Sequence, residues 1–161
     1  MKRIISSLII IFSFFSMLLV TSCNNNENEE EETVPYKLVI DCSEIVSNLD
    51  NESYAVKAEK RDIVPENGIV LEKEGKCNEG TTAYDLVVSV LKKNKIHFDG
   101  TGVYFKGIGN LYEGDCGQFS GWMFFINGNL AELGASDTIV KADDVIEFRY
   151  IVDYNILFEF H

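Results

Sequence analysis

The spacing of apolar positions separates one helical stretch from a series of short strands. Ala83, Leu86, Val87, Val90 and Leu91 recur at helical spacing on one face. Thr81 or Thr82 stands ahead of them as a cap, with Asp85 three residues after Thr82 in a variant of the capping box. Lys92, Lys93 and Lys95 suit the C-terminal end. Upstream, Tyr36–Cys42 is rich in β-branched and aromatic residues and predicts a strand. Ile45, Val46 and Leu49 predict a short amphipathic turn, and residues 69–72 a second strand closed by the turn Asn78-Glu79-Gly80. Asp50–Asn67 is polar and has no clear period.

Downstream of the helix the pattern alternates between short apolar runs and glycines. Strands are predicted at 96–98, 103–105, 110–112, 122–126 and 145–151, and a last one at 156–160. Asn127-Gly128 is a strong hairpin signal, because both residues tolerate positive φ. Lys141-Ala142-Asp143-Asp144 is a further turn. One helix across a small mixed sheet is an α+β, β-grasp-like arrangement. Residues 36–161 supply one such domain, without internal repeat.

The first 35 residues follow a different pattern. Lys2 and Arg3 precede an apolar run from Ile4 to Val20, which ends in Val20-Thr21-Ser22-Cys23. Residues 1–22 therefore read as a lipoprotein signal peptide, cleaved ahead of Cys23, whose thiol takes the lipid. Asn24–Glu32 contains only Asn and Glu, so residues 23–35 read as a solvated acidic tether. The expected location is extracytoplasmic, lipid-anchored to a bacterial cell membrane.

Charge sharpens this picture. Losing Lys2 and Arg3 with the leader takes the formal net charge from −12 to −14, and no Lys/Arg cluster exists to draw phosphate, so nucleic acid is excluded as a partner. Catalytic chemistry is poorly represented. Only His97 and His161 are present, neither at metal or nucleophile spacing, and His97 reads as a strand residue. Asp143, Asp144 and Glu147 lack the spacing of a calcium loop. Gly107-Ile108-Gly109 is a fragment of a phosphate-loop pattern with no helix after it. Neither a catalytic residue nor a metal site is expected, and the chain reads as a non-enzyme.

Five stretches resemble the transcobalamin-like C-terminal domain family: residues 80–86, 108–117, 120–128, 134–137 and 144–150. The segment from Leu111 to Gly128 is the most specific. The resemblance covers about Tyr36 to Tyr154 and implies a β-grasp-like fold related to the smaller domain of the cobalamin carriers transcobalamin and intrinsic factor. In those carriers this domain closes over one face of the corrin ring, and a helical barrel supplies the rest of the site. The chain departs from the family at Ala135 and Val152, where relatives often carry Cys, at Thr138, where Tyr is usual, and at Asp143, which must take the place of glycine.

What the resemblance implies for this chain is a ligand set of Trp122, Phe124, Leu133, Gly134, Ala135 and Ser136, and cobalamin or another corrinoid as ligand. The residues themselves leave Trp122 open between a rim contact to a planar ligand and a core tryptophan. Phe119, between glycines, reads as an exposed loop aromatic, and Tyr104 as a sheet residue. Among the cysteines, Cys42 and Cys116 lie in the family-like stretches and are the preferred disulfide; Cys77 stays free or pairs between molecules. The expected partners are the membrane through Cys23 and a helical-barrel cobalamin-binding protein or another surface protein. The alternative function is a cell-surface protein or glycan interaction domain that takes no small molecule.

Overall fold

The computed structural model describes residues 32–158. Cys23 with its leader, most of the tether, and His161 lie outside the described residues. The elements are β1 (Thr33–Asp41), α1 (Ser43–Ser47), a 3-10 turn (Ala58–Ile63), β2 (Ile69–Asn78), α2 (Ala83–Lys93), β3 (Phe98–Gly100), β4 (Phe105–Ile108), β5 (Leu111–Tyr112), β6 (Gly121–Ile126), β7 (Asn129–Leu130), β8 (Asp144–Ile151) and α3 (Asn155–Phe158). Five strands form one mixed sheet in the order β2-β1-β8-β6-β7, and β3-β4-β5 form a separate small sheet. Only the β1–β8 pair in the large sheet is parallel.

The period-2 pattern of β8 decides the core. Ile146, Phe148 and Tyr150 face inward, opposite Leu38 and Ile40 of β1 on one side and Ile126, Phe124 and Trp122 of β6 on the other. Helix α2 lays Ala83, Leu86, Val87, Val90 and Leu91 into the same cluster. Its cap is the predicted one: Thr82 Oγ1 accepts from the Asp85 backbone N–H at 3.0 Å and donates to Asp85 Oδ2 at 2.8 Å. Rings tie the layers together. Phe148 stacks on Phe124 at 5.1 Å between centroids and meets the edge of Phe105 at 4.9 Å.

Both predicted turns form as expected, with Asn127 at φ 53, Gly128 at φ 81 and Asp143 at φ 66. Several boundaries differ: β2, expected at 69–72, runs on to Asn78, and the strand expected at 96–98 lies at Phe98–Gly100. β1 starts at Thr33, inside the stretch assigned to the tether, because Thr33, Val34 and Pro35 pair with Asn78, Cys77 and Lys76. The strand expected at 103–105 lies at 105–108, since Thr101 and Tyr104 exchange backbone hydrogen bonds and make Gly102 and Val103 a hairpin tip. The strand expected at 156–160 is instead the helical turn Asn155–Phe158, with residues 159 and 160 outside the described residues. The Tyr154 N–H donates to Phe119 O and the Asn155 N–H to Asp153 Oδ1, which draws the chain off the sheet.

Candidate binding cleft

Four segments converge beside β6. The hairpin tip contributes Val103, Tyr104 and Phe105; β6 contributes Trp122, Met123 and Phe124; Leu130 to Ala135 form the facing wall; and Phe148 reaches in from β8. They enclose a cleft of about 240 Å³. Of the six residues the resemblance implies, Trp122, Phe124, Leu133, Gly134 and Ala135 line it. Ser136 does not. Its N–H donates to Gly102 O, and a Cβ at Gly102 would meet the Ser136 Cβ at 2.6 Å, so this serine locks the wall to the hairpin tip.

The rim is open and apolar: Val103 is 75% exposed and Leu133 61%. A second hollow, of about 550 Å³, lies on the far side of the same wall and shares Leu130 to Leu133 with the cleft. Tyr104 is a rim residue rather than a sheet residue. Its hydroxyl donates to Glu113 Oε2 at 2.8 Å, and partial burial together with that carboxylate raises its pKa. Glu132 lines the cleft, whose lining has no Lys or Arg, Glu113 is tied to its rim through Tyr104, and the neighbouring hollow carries Asp137 and Asp144 together with Lys141.

Trp122 belongs to the core and floors the cleft. It is 2% exposed, its Nε1–H donates to Leu111 O at 2.9 Å, and its ring stands edge-on to Tyr150 at 5.3 Å. That arrangement sits on a buried polar network that sequence reasoning did not find. The Tyr150 hydroxyl donates to Tyr112 O at 2.7 Å and lies 2.9 Å from Ser120 Oγ, which in turn accepts from the Cys116 N–H. Asp115, 4% exposed, accepts from the Tyr112 N–H at 2.8 Å and from Lys57 Nζ at 3.0 Å. The Asp-Cys-Gly run and a lone Tyr on an inward position of β8 are the only traces of this network in the sequence.

The cysteine pair is corrected. Cys42 and Cys116 are both buried, in one core cluster and within electrostatic reach of each other, but they are free thiols. Burial pushes each thiol up to about 12, which makes them small apolar core residues. Cys77, half-buried on β2, is free as well. His97 is exposed just before β3, its Nε2 at 3.2 Å from the Tyr112 hydroxyl. Phe119 is 41% exposed and packs edge-on against Tyr154. The turn carboxylates are occupied locally: Asp144 accepts from Asn127 Nδ2 and the Lys141 N–H, and Glu147 from Arg149 and the Gly128 N–H. Among the described residues no group of three or more His, Cys, Asp or Glu is arranged to hold a metal ion.

Residues 80–151 match the family model described as Domain of unknown function (DUF4430). No curated protein matches the chain. Among solved structures, haptocorrin in complex with Cbi is 13% identical and superposes with a TM-score of 0.51, over 75% of this chain and 25% of that one. A Ruminococcus gnavus ATCC 29149 protein, provisionally described as metal binding, is 10% identical with a TM-score of 0.41, over 73% of this chain and 96% of that one. This chain therefore spans about a quarter of haptocorrin's length, and the likeness is one of fold. The resemblance read from the sequence thus stands beside two findings: residues 80–151 match the DUF4430 model, and the fold around them is shared with a region of haptocorrin.

Proposed function

We propose that the protein is a lipid-anchored, extracytoplasmic, non-enzymatic binding module whose cleft takes one edge of a broad apolar ligand, cobalamin or a related corrinoid. The observation that carries this reading is the convergence of Trp122, Phe124, Leu133, Gly134 and Ala135 on one open cleft beside a rigid aromatic core. The cleft supplies a flat apolar floor and a glycine-containing wall whose backbone approaches closely, which are the features a planar ligand with amide substituents needs. Its volume of about 240 Å³ falls below the range of roughly 300–1,000 Å³ typical of sites that enclose a small molecule. A corrinoid would be held at one edge here, with a partner, such as a helical-barrel protein, covering the rest. The anchor would be the lipid on Cys23.

The test is titration of the purified chain with cobinamide and with cobalamin, alone and with a helical-barrel partner, followed in the visible spectrum and by calorimetry. A spectral change whose midpoint moves to about five- to tenfold higher ligand with Leu133→Ala supports the reading. An unchanged spectrum and no heat at high micromolar ligand, with the partner present, overturns it in favour of a surface that recognises only protein or glycan. Anchoring is checked separately, by incorporation of a labelled fatty acid into the wild-type chain and its loss in Cys23→Ala.

A further inference from the structure

One end of the cleft is closed where two backbones meet with no side chain between them. The Ser136 N–H donates to Gly102 O at 2.9 Å, and a Cβ at Gly102 would lie 2.6 Å from Ser136 Cβ and 2.9 Å from its Oγ. Beside this contact, a Cβ at Gly134 would stand 3.4 Å from Val103 Cα. Val103 and Gly134 both line the cleft, so its two sides taper together there. Gly102 does not have a positive φ, and its backbone alone would accept alanine; Ser136 is what excludes a side chain.

The two sides of the contact are held differently. The wall is fixed by the first turn of α2, where the Ala83 N–H donates to Thr138 O and the Tyr84 N–H to Ala135 O. The hairpin tip, residues 101–104, is held by the backbone bonds between Thr101 and Tyr104, by the Tyr104 hydroxyl on Glu113, and by the Ser136 bond to Gly102 O. A side chain at Gly102 therefore displaces the tip rather than the wall, and Val103 and Tyr104 move with it.

We propose that Gly102 is the positioning residue that sets the width of the cleft, and that this width favours the flat edge of a ring system over a globular aliphatic group. A flat ring reaches into the tapering end between Val103 and Gly134, against the rings of Phe105, Trp122, Phe124 and Phe148. A globular group stops short of that end and leaves its apolar lining in water. The inference rests on the cleft being the binding site and adds the thickness of the ligand to that reading.

The probes are two neutral alcohols, 9-anthracenemethanol and 1-adamantanemethanol, titrated into the full chain and followed by NMR at the Leu133 methyls. The quantity read is the ratio of their affinities, so the intrinsic hydrophobicity of each probe cancels between variants. Gly102→Ala is expected to lower the anthracene-to-adamantane ratio by about fivefold or more, and to lower the hydrogen-exchange protection of the amide at position 136 by about tenfold. Adding Ser136→Gly removes the atoms that the new methyl meets and is expected to restore both quantities. Either quantity left unchanged by Gly102→Ala overturns the proposal. So does a double variant that fails to restore them, or binding of neither probe at millimolar concentration. Should Gly102→Ala alone fail to fold, the double variant decides: a wild-type ratio there supports the proposal and any other ratio overturns it. Neither probe is a corrinoid. Failure of the cobinamide titration with the ratio responding as expected removes the corrinoid alone, and an unresponsive ratio with cobinamide bound removes the role of Gly102 alone.

Discussion

β2 and β6–β7 lie at opposite flanks of one sheet and are built from different residues. The β2 flank alternates charge, with Glu72, Lys73, Glu74 and Lys76 all exposed, and its link to β1 includes the solvent-facing Lys37–Glu72 ion pair. The β6 flank has its polar contacts inside: Trp122 to Leu111 O, Tyr150 to Tyr112 O, and Asp115 to the Tyr112 N–H. A long edge guarded by mixed charge resists pairing with other chains. An edge whose charge stays at the rim, while its floor is aromatic and rigid, can receive something. The contrast teaches that one sheet can guard one flank with exposed mixed charge and build the other around a buried aromatic and polar core.

Trp122→Ala attacks the rigid flank most directly. It removes a fully buried ring, its contact with Tyr150 and the partner of Leu111 O, so a loss of about 3–5 kcal/mol in denaturant unfolding is expected. Such a variant measures the core before it measures binding. A loss below about 1 kcal/mol would mean that the floor is not a core wall, and the distinction between the two flanks would fail. Asp115→Ala comes next, at about 1–3 kcal/mol, because it orphans the half-buried Tyr112 N–H. The exposed Lys57 ammonium adds little to that cost, since solvent screens it.

Much of this contrast was legible in the sequence, for identifiable reasons. α2 was readable because its apolar spacing, its Thr82 cap and its terminal lysines all agree. The turn at Asn127-Gly128 and the positive φ at Asp143 were readable because few residues tolerate those conformations. The parity of β6 was also readable, with Trp122, Phe124 and Ile126 on one side. Which side was core was not, because Met123 and Phe125 are equally apolar; Phe125 lies on the opposite face, 6% exposed beneath the Arg149 guanidinium at 4.4 Å. The resemblance implies five of the residues that line the cleft; Ser136 faces the hairpin tip instead, and the rest of the lining, Val103 and Tyr104 of the rim among it, is not in the implied set. Those two were read as strand, and the Thr101–Tyr104 turn that turns them into a rim leaves no periodic trace. The polar network was illegible for the same reason: it joins residues 57, 112, 115, 120 and 150, far apart in sequence.

The thiols sharpen the comparison by reactivity. Cys42 and Cys116 belong to the core, with pKa pushed up to about 12 by burial, whereas Cys77 lies half-buried on the guarded flank. At pH 8, Cys77 is expected to react with an aromatic disulfide reagent at least about a hundredfold faster than the other two. Linkage gives the sign at higher pH. The unfolded chain releases the two thiol protons near 9 and the folded chain only near 12, so stability falls as pH rises between those values. Three thiols that react at one rate in the folded protein, or a stability that is flat across that window, would contradict the buried free pair.

The smallest effects on stability fall at the exposed positions of the two flanks, and there the functional contrast is cleanest. Glu72→Ala breaks an ion pair between two solvent-exposed side chains and should leave the melting temperature unchanged. Leu133→Ala trims a side chain that is already 61% exposed, so it should cost less than about 0.5 kcal/mol. Since both variants keep the fold, any difference between them in binding reports the flank rather than the core. Leu133 forms the crest of the wall shared by the cleft and the neighbouring hollow, and its loss removes apolar contact from any occupant of either. A five- to tenfold weakening with Leu133→Ala, against none with Glu72→Ala, is expected, about 1 kcal/mol for a side chain that seals rather than fills. Equal weakening by both variants would place the recognition surface outside the cleft, and the open flank would then be a feature of folding alone.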